Sequence, residues 1–239
     1  MMQLDTIVCM DALDYLRGLE DKFVDIVVTS PPYNIGAMGR RGGGMFKRSW
    51  KTRYGEGYAN YTDDIPEADY QKWLYDVVNE CMRVSKGLVW INHKMRYRRG
   101  IGIHPLRFLT QPVYSEIIWA RAGSMELNSR RFATSHEYFF GFGKPHYWNN
   151  KANVQMTVWY MLPVNDTAHP CIYPERLIRK LIDASCPTDG IVLDCFMGSG
   201  TTALAARNLG RHYIGCDLSQ EYVALAQSRL ALPYTPLMI

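Results

Sequence analysis

The sequence predicts an α/β fold in which a mostly parallel sheet is covered by helices on both faces. Three observations lead there. An apolar run, a helix and a second apolar run follow one another at the N-terminus, and the C-terminal quarter repeats that alternation. Within that C-terminal quarter, a glycine-rich turn separates a strand from a helix and an acid closes the next strand.

In order along the chain, Thr6-Ile7-Val8-Cys9-Met10 reads as a short buried strand and Ala12 to Leu19 as a helix. Val24-Asp25-Ile26-Val27-Val28 reads as a second buried strand. Thr29-Ser30-Pro31-Pro32-Tyr33-Asn34 ends it abruptly, since two prolines remove backbone donors and push their predecessors out of helical geometry. Pro66 to Ser85 has helical apolar spacing through Tyr70, Trp73, Leu74, Val77, Val78, Cys81 and Met82, and Leu88-Val89-Trp90-Ile91 follows as a third strand. Across 93–155, aromatic segments such as Ile117-Ile118-Trp119 and Tyr138-Phe139-Phe140-Gly141-Phe142 suggest further strands. Pro174 to Ala184 is a helix with a proline at its start. Ile191-Val192-Leu193, a helix from Thr201 to Leu209, Tyr213-Ile214-Gly215-Cys216 and a helix from Glu221 to Leu230 complete the pattern.

The chain has 239 residues, so one domain spanning 1–239 with an inserted lobe is the expectation. With 47% hydrophobic and 21% charged residues, default disorder is excluded. No apolar run reaches about 18 residues, and Met1-Met2-Gln3-Leu4-Asp5 lacks the layout of a secretory signal, so a cytoplasmic protein is expected. Cys9, Cys81, Cys171, Cys186, Cys195 and Cys216 form no C-x-x-C pair, which points to reduced, buried fillers. His136 and His169 have no ligand set at helical spacing, so no metal is expected. Net charge is only +4, but Arg40, Arg41, Lys47, Arg48, Lys51 and Arg53 fall in one stretch without an acid. The basicity is therefore local, as a surface that meets a polyanion requires.

Asp194-Cys195-Phe196-Met197-Gly198-Ser199-Gly200-Thr201-Thr202 sits where a nucleotide loop belongs. Glycines at 198 and 200 allow a ligand close to the backbone, and Asp217 can hydrogen-bond both hydroxyls of a ribose. A carboxylate at Asp194 would repel a dinucleotide pyrophosphate and attract a ligand bearing an amino group and a sulfonium, which favours S-adenosylmethionine over NAD. Ser30-Pro31-Pro32-Tyr33 should project from the same carboxyl edge. The Ser30 hydroxyl and the Pro31 carbonyl could hold the two hydrogens of an exocyclic amine, while the Tyr33 ring stacks on a base removed from the duplex.

Together these residues resemble the beta group of the amino-DNA methyltransferases, which modify adenine N6 or cytosine N4 and carry the catalytic motif before the cofactor motif. Ser135-His136-Glu137, His169-Pro170, Tyr173-Pro174-Glu175-Arg176-Leu177 and Gly210-Arg211-His212-Tyr213-Ile214-Gly215 strengthen the likeness, as does Asp11-Ala12 after the first strand. The resemblance implies a Rossmann-like fold with seven strands, one of them antiparallel, a permuted motif order, and a C-terminal helix finishing close to Asp5. It also implies S-adenosylmethionine as cofactor. Asp11 and Ala12 would lie near its adenine, Asp217 on its ribose and Phe196 against it, and Gly198, Ser199, Gly200, Thr201 and Thr202 would line its methionine moiety. His169 would lead into the helix at that end.

The implied partner is double-stranded DNA, with a homodimer and a cognate restriction enzyme as further open partners. Residues 38–60 combine glycines, basic residues and aromatics, and suit a mobile loop that closes over phosphates. Lys94, Arg96, Arg98, Arg99, Arg121, Arg130 and Arg131 form a second basic set, and 93–155 is the expected target-recognition region. Serine at position 30, where adenine enzymes of the family usually carry Asp or Asn, leans towards cytosine N4, with adenine N6 as the alternative. A catalytically inactive DNA-binding protein and an NAD-dependent oxidoreductase are the rivals of other classes.

Overall fold

A computed structural model describes residues 3–35, 65–121, 131–151, 155–163 and 173–233. Its sheet is built from β1 (Thr6–Cys9), β2 (Ile26–Thr29), β3 (Val89–His93), β6 (Val113–Ala120), β7 (His136–Phe142), β8 (Val158–Tyr160), β9 (Ile191–Asp194) and β10 (His212–Asp217). A separate hairpin joins β4 (Arg96–Arg98) to β5 (Ile101–Ile103). The helices are α1 (Ala12–Arg17), α2 (Glu67–Val84), α3 (Glu175–Ser185), α4 (Thr201–Asn208) and α5 (Gln220–Ala231).

Spatial order is β1-β10-β9-β2-β3-β7-β6-β8, and only β7 runs against the rest. The seven expected strands are present, and the three-residue edge strand β8 makes eight among the described residues by pairing with Ile118–Ala120. Strands in the middle bury both faces, which is why Ile26–Thr29 and Leu88–Ile91 read as continuous apolar runs rather than as alternations. One face packs α1 and α2 through Leu16, Tyr70, Leu74, Val77 and Val78. The other packs α3, α4 and α5 through Leu177, Ile178, Leu181, Ala203, Ala206 and Ala226. Neighbours in sequence divide between the faces, Val27 to one and Ile26 and Val28 to the other.

The permuted order places the first strand and the last helix together, since β1 lies at the sheet edge beside β10 and Gln227 of α5 donates to the Ile7 carbonyl at 3.4 Å. Two expectations are corrected. β1 is an edge strand with Val8 and Cys9 exposed, because its outer side has no partner strand. Cys9 is accordingly no buried filler, whereas Cys81, Cys186, Cys195 and Cys216 are buried and free. The strands expected within 93–155 are present, and the aromatic runs of β6 and β7 pair with each other and bury Trp119, Phe139, Phe140 and Phe142. Residues 38–60, Arg130, His169 and Cys171 lie outside the described residues.

Gly200 precedes α4 with φ of 81°, and a Cβ there would lie 2.8 Å from the Ala226 Cβ on α5. Gly200→Ala combines left-handed strain with a clash, so it should destabilise the fold by about 2 kcal/mol, measured by urea unfolding.

Candidate active site

β9 leads on to β10 and then β1 in one direction, while β2 leads to β3 in the other, so the order of strands reverses between β9 and β2. Ligands of open α/β sheets bind at such a switch point, outside the carboxyl ends of the strands. Here the two loops singled out in the sequence leave side by side. Val27 pairs with Leu193 in register, and just beyond them Thr29 Oγ1 donates to Asp194 Oδ1 at 2.5 Å. Catalytic and cofactor motifs separated by more than 160 residues are thus joined by one buried hydrogen bond.

On the cofactor side, Asp194 is completely buried. Oδ1 also accepts from the Phe196 N–H at 3.0 Å, and Oδ2 lies 3.4 Å from the Tyr173 hydroxyl, which in turn meets Thr202 Oγ1 at 2.7 Å. Burial pushes the Asp194 carboxyl up to about 6, against the downward pull of its donors from Thr29, Thr202 and the Phe196 N–H. Asp217 closes β10 and holds the turn from the other side, accepting from the Gly198 N–H at 2.8 Å and the Ser219 N–H at 2.9 Å. Burial raises its carboxyl, and those two N–H groups oppose the rise. Gly198 itself has φ of 51°. Ser199 and Thr201 are reached by Arg229 of α5, and the side chains of Thr201 and Thr202 are buried, so what the turn offers a ligand there is backbone. Phe196 is half-buried with its ring against Trp73, centroids 5.6 Å apart. Asp11 is exposed one strand further along, where it caps α1 by accepting from the Leu13 and Asp14 N–H groups; Ala12 is buried beneath it.

On the catalytic side, Ser30 and Tyr33 are half-buried and meet at Asn92, the fourth residue of β3. Asn92 Oδ1 lies 3.2 Å from Ser30 Oγ and 2.6 Å from the Tyr33 hydroxyl. The Tyr33 hydroxyl is also 3.2 Å from Oε2 of Glu137, a buried carboxylate paired with Arg121. The Tyr33 ring leans on His93, centroids 4.8 Å apart, and Lys94 Nζ lies 5.3 Å from its centroid. Burial pushes His93 down to about 3, so its ring is neutral. Its Nδ1 lies 2.8 Å from the Lys94 nitrogen and 2.9 Å from the Lys94 carbonyl oxygen, and Nε2 faces the Tyr70 hydroxyl at 2.8 Å. Tyr70 passes its own proton to the Pro32 carbonyl at 2.8 Å, and α2 thereby fixes the proline loop. At the far end Asn34 bonds both backbone groups of Ile65.

The second basic set divides. Arg96 is buried and bidentate to Glu67, with its guanidinium 4.5 Å over Tyr70, and half-buried Arg121 is bound to Glu137, so both are engaged in ion pairs. Arg98 donates to the Asn34 carbonyl, and Arg131 stacks 3.7 Å over Tyr97. Arg99 is exposed in the two-residue turn with Gly100, both at positive φ. Among the described residues no three His, Cys, Asp or Glu side chains cluster as a metal site, and no helix is long and apolar enough to cross a membrane.

Asn92 and Arg229 are members that no motif contained, while Thr29, Glu137 and Tyr173 stood in quoted motifs without a role assigned to them. For Asn92 the signal was present, since two polar residues close an otherwise wholly apolar strand.

A glycine turn and a polar proline loop facing each other across a switch point define a nucleotide-cofactor enzyme with a second, adjacent substrate pocket. The chain belongs to the family of DNA methylases acting at adenine N6 or cytosine N4, whose family model it matches over residues 24–228. It is an S-adenosylmethionine-dependent DNA amino-methyltransferase. Over 267 residues it is 28% identical to the type II methyltransferase M.BglII of Bacillus subtilis, covering 92% of this chain and 67% of that one. It is 26% identical to the type II methyltransferase M.HpaI of Haemophilus parainfluenzae over 249 residues, 94% of this chain and 73% of the relative. Among solved structures, the cytosine-N4-specific PvuII DNA methyltransferase superposes with a TM-score of 0.72 at 17% identity, over 98% of this chain and 89% of that one. M1.HpyAVI in its SAM complex gives 0.61 at 25% identity, over 95% and 99%.

Asp194 titrates higher in the folded protein than in the unfolded chain, so folding favours its protonated form and stability declines as pH rises from about 4 to about 6. Relative to Asp194→Asn, the wild-type protein should lose about 3 kcal/mol over that interval, read from urea unfolding at each pH.

Proposed function

We propose that the enzyme methylates the N4 amine of a cytosine turned out of duplex DNA, with Ser30, Pro31, Pro32 and Tyr33 forming the pocket for the base. The observation that carries this reading is the Ser30 hydroxyl, a neutral group tied back to Asn92 at the switch point beside the cofactor turn. An exocyclic amine is a poor nucleophile because its lone pair is delocalised into the ring. Ser30 Oγ and the Pro31 carbonyl accept its two hydrogens, steer the nitrogen towards tetrahedral geometry and aim its lone pair. Two prolines and the Tyr70 bond to Pro32 keep that aim rigid. After transfer the surplus proton leaves to water, so no side chain has to act as general base.

S-adenosylmethionine, when bound, supplies a methyl group made electrophilic by its sulfonium. The residues present fit it. Each Asp217 oxygen accepts one N–H and has a lone pair left for a ribose hydroxyl. Phe196 offers a ring face, Asp11 and Ala12 border the adenine side, and the backbone from Gly198 to Thr202 offers close approach to the methionine moiety, with His169 assigned to that end. Asp194 acts at a distance, organising the turn while its ionised carboxyl favours a cationic ligand.

For DNA, the reading assigns the basic residues of 38–60 (Arg40, Arg41, Lys47, Arg48, Lys51, Arg53), together with Arg130 and Arg131, to phosphates. It narrows target recognition within 93–155 to the β4–β5 hairpin, whose bases Arg96 and Arg98 are anchored beside the catalytic loop and whose tip presents Arg99. A hairpin this short fits a second subunit on the DNA, and the likeness to type II methyltransferases supports a cognate restriction enzyme as a further partner.

Incubation with methyl-labelled S-adenosylmethionine and duplex DNA should move label to DNA, and nucleoside analysis should show N4-methylcytosine. N6-methyladenine would reassign the base, and no transfer to any duplex would overturn the reading. Arg99→Ala should weaken binding evenly across sequences and reduce the slope of log affinity against log salt by about 1; an unchanged slope would remove the hairpin from the DNA surface.

A further inference from the structure

Asn92 is 1% exposed, and its amide has a fixed sense. Nδ2 donates to the Tyr138 carbonyl of β7 at 3.0 Å, so Oδ1 must face the catalytic loop. That oxygen carries no proton, yet it lies within hydrogen-bond reach of two hydroxyls, Tyr33 at 2.6 Å and Ser30 at 3.2 Å. Among the described residues the Tyr33 hydroxyl meets two acceptors, Asn92 Oδ1 and Glu137 Oε2. Ser30 can turn its single proton inward as well, onto Asn92 Oδ1 at 3.2 Å or onto the Tyr33 oxygen 3.3 Å away. In both arrangements its lone pairs are left for an incoming donor.

We propose that Asn92 is the positioning residue that makes Ser30 an obligate acceptor, so that the two side chains present the target amine as one unit. The inference rests on the amine-methylation reading and adds a reason for serine at position 30. A carboxylate there would set a second oxygen without a proton against Asn92 Oδ1, whereas serine brings the proton that this oxygen needs. Asn92 cannot turn its amide round without opposing its own oxygen to the Tyr138 carbonyl.

The test is a double-mutant cycle with Ser30→Ala and Asn92→Leu, read as kcat, DNA KM and dissociation constant for S-adenosylmethionine. Asn92→Leu should lower kcat about 30-fold in the wild-type background but about threefold or less in the Ser30→Ala background, with cofactor affinity held within about twofold. Equal losses in both backgrounds, or a loss that falls on cofactor affinity, would overturn the unit. Asn92→Asp decides the matter independently if the leucine variant fails to fold. Its carboxyl must be protonated to donate to Tyr138 while accepting from Ser30, and Glu137, paired with Arg121 beside Tyr33, opposes its ionisation. Its kcat should therefore fall with rising pH along a limb that the wild-type enzyme lacks, and a profile matching wild type would overturn the proposal. Additive losses leave transfer by the wild-type enzyme intact; absence of transfer by wild-type enzyme would overturn both the amine-methylation reading and the pair.

Discussion

The structure turns on a carboxylate taken completely out of water between two parallel strands. Asp194 ends β9 and Thr29 ends β2, and the hydroxyl of one is bonded to the carboxylate of the other at 2.5 Å. An enclosed carboxylate without donors would cost several kcal/mol. Its bonds from Thr29, Phe196 and Tyr173 offset that cost, but only when the β2 loop, the glycine turn and the start of α3 are all in place. Burial still pushes the Asp194 carboxyl up against those donors, a tension common where groups are held for function rather than for stability.

The same logic recurs one strand over. Asn92 is buried at the end of β3 and tied to both hydroxyls of the catalytic loop, while neutral His93 and Tyr70 reach the loop from below. Buried polar networks are worthwhile only when each member finds its partners, and a loop held by such a network loses little freedom when substrate arrives. Rigid aim at a weak nucleophile is what methylation of an amine demands of a protein, since the chain itself need supply no covalent chemistry.

The two motifs were legible because their chemistry is local. Proline fixes the backbone of 31 and 32, and Gly198 and Gly200 adopt positive φ. The strand–helix alternation at both ends was equally legible, as were the buried apolar runs. Segment 93–155 was legible as strands, but the sheet to which they belong was not. Its aromatic runs bury as strands β6 and β7, and nothing in their spacing distinguishes a strand of the main sheet from one in a separate lobe. Arg96 and Arg121 look identical in sequence to exposed arginines, and only the positions of Glu67 and Glu137 reveal them as ion-paired.

The sequence by itself determined the class of fold, the cofactor turn and the proline loop, because backbone restriction and strand–helix periodicity act between near neighbours in the chain. Tertiary structure decided which groups surround the reacting edge. Thr29 with Asp194, Asn92 with Ser30 and Glu137 with Tyr33 are separated by 165, 62 and 104 positions, and distances of that kind are set by strand order, which no local pattern encodes.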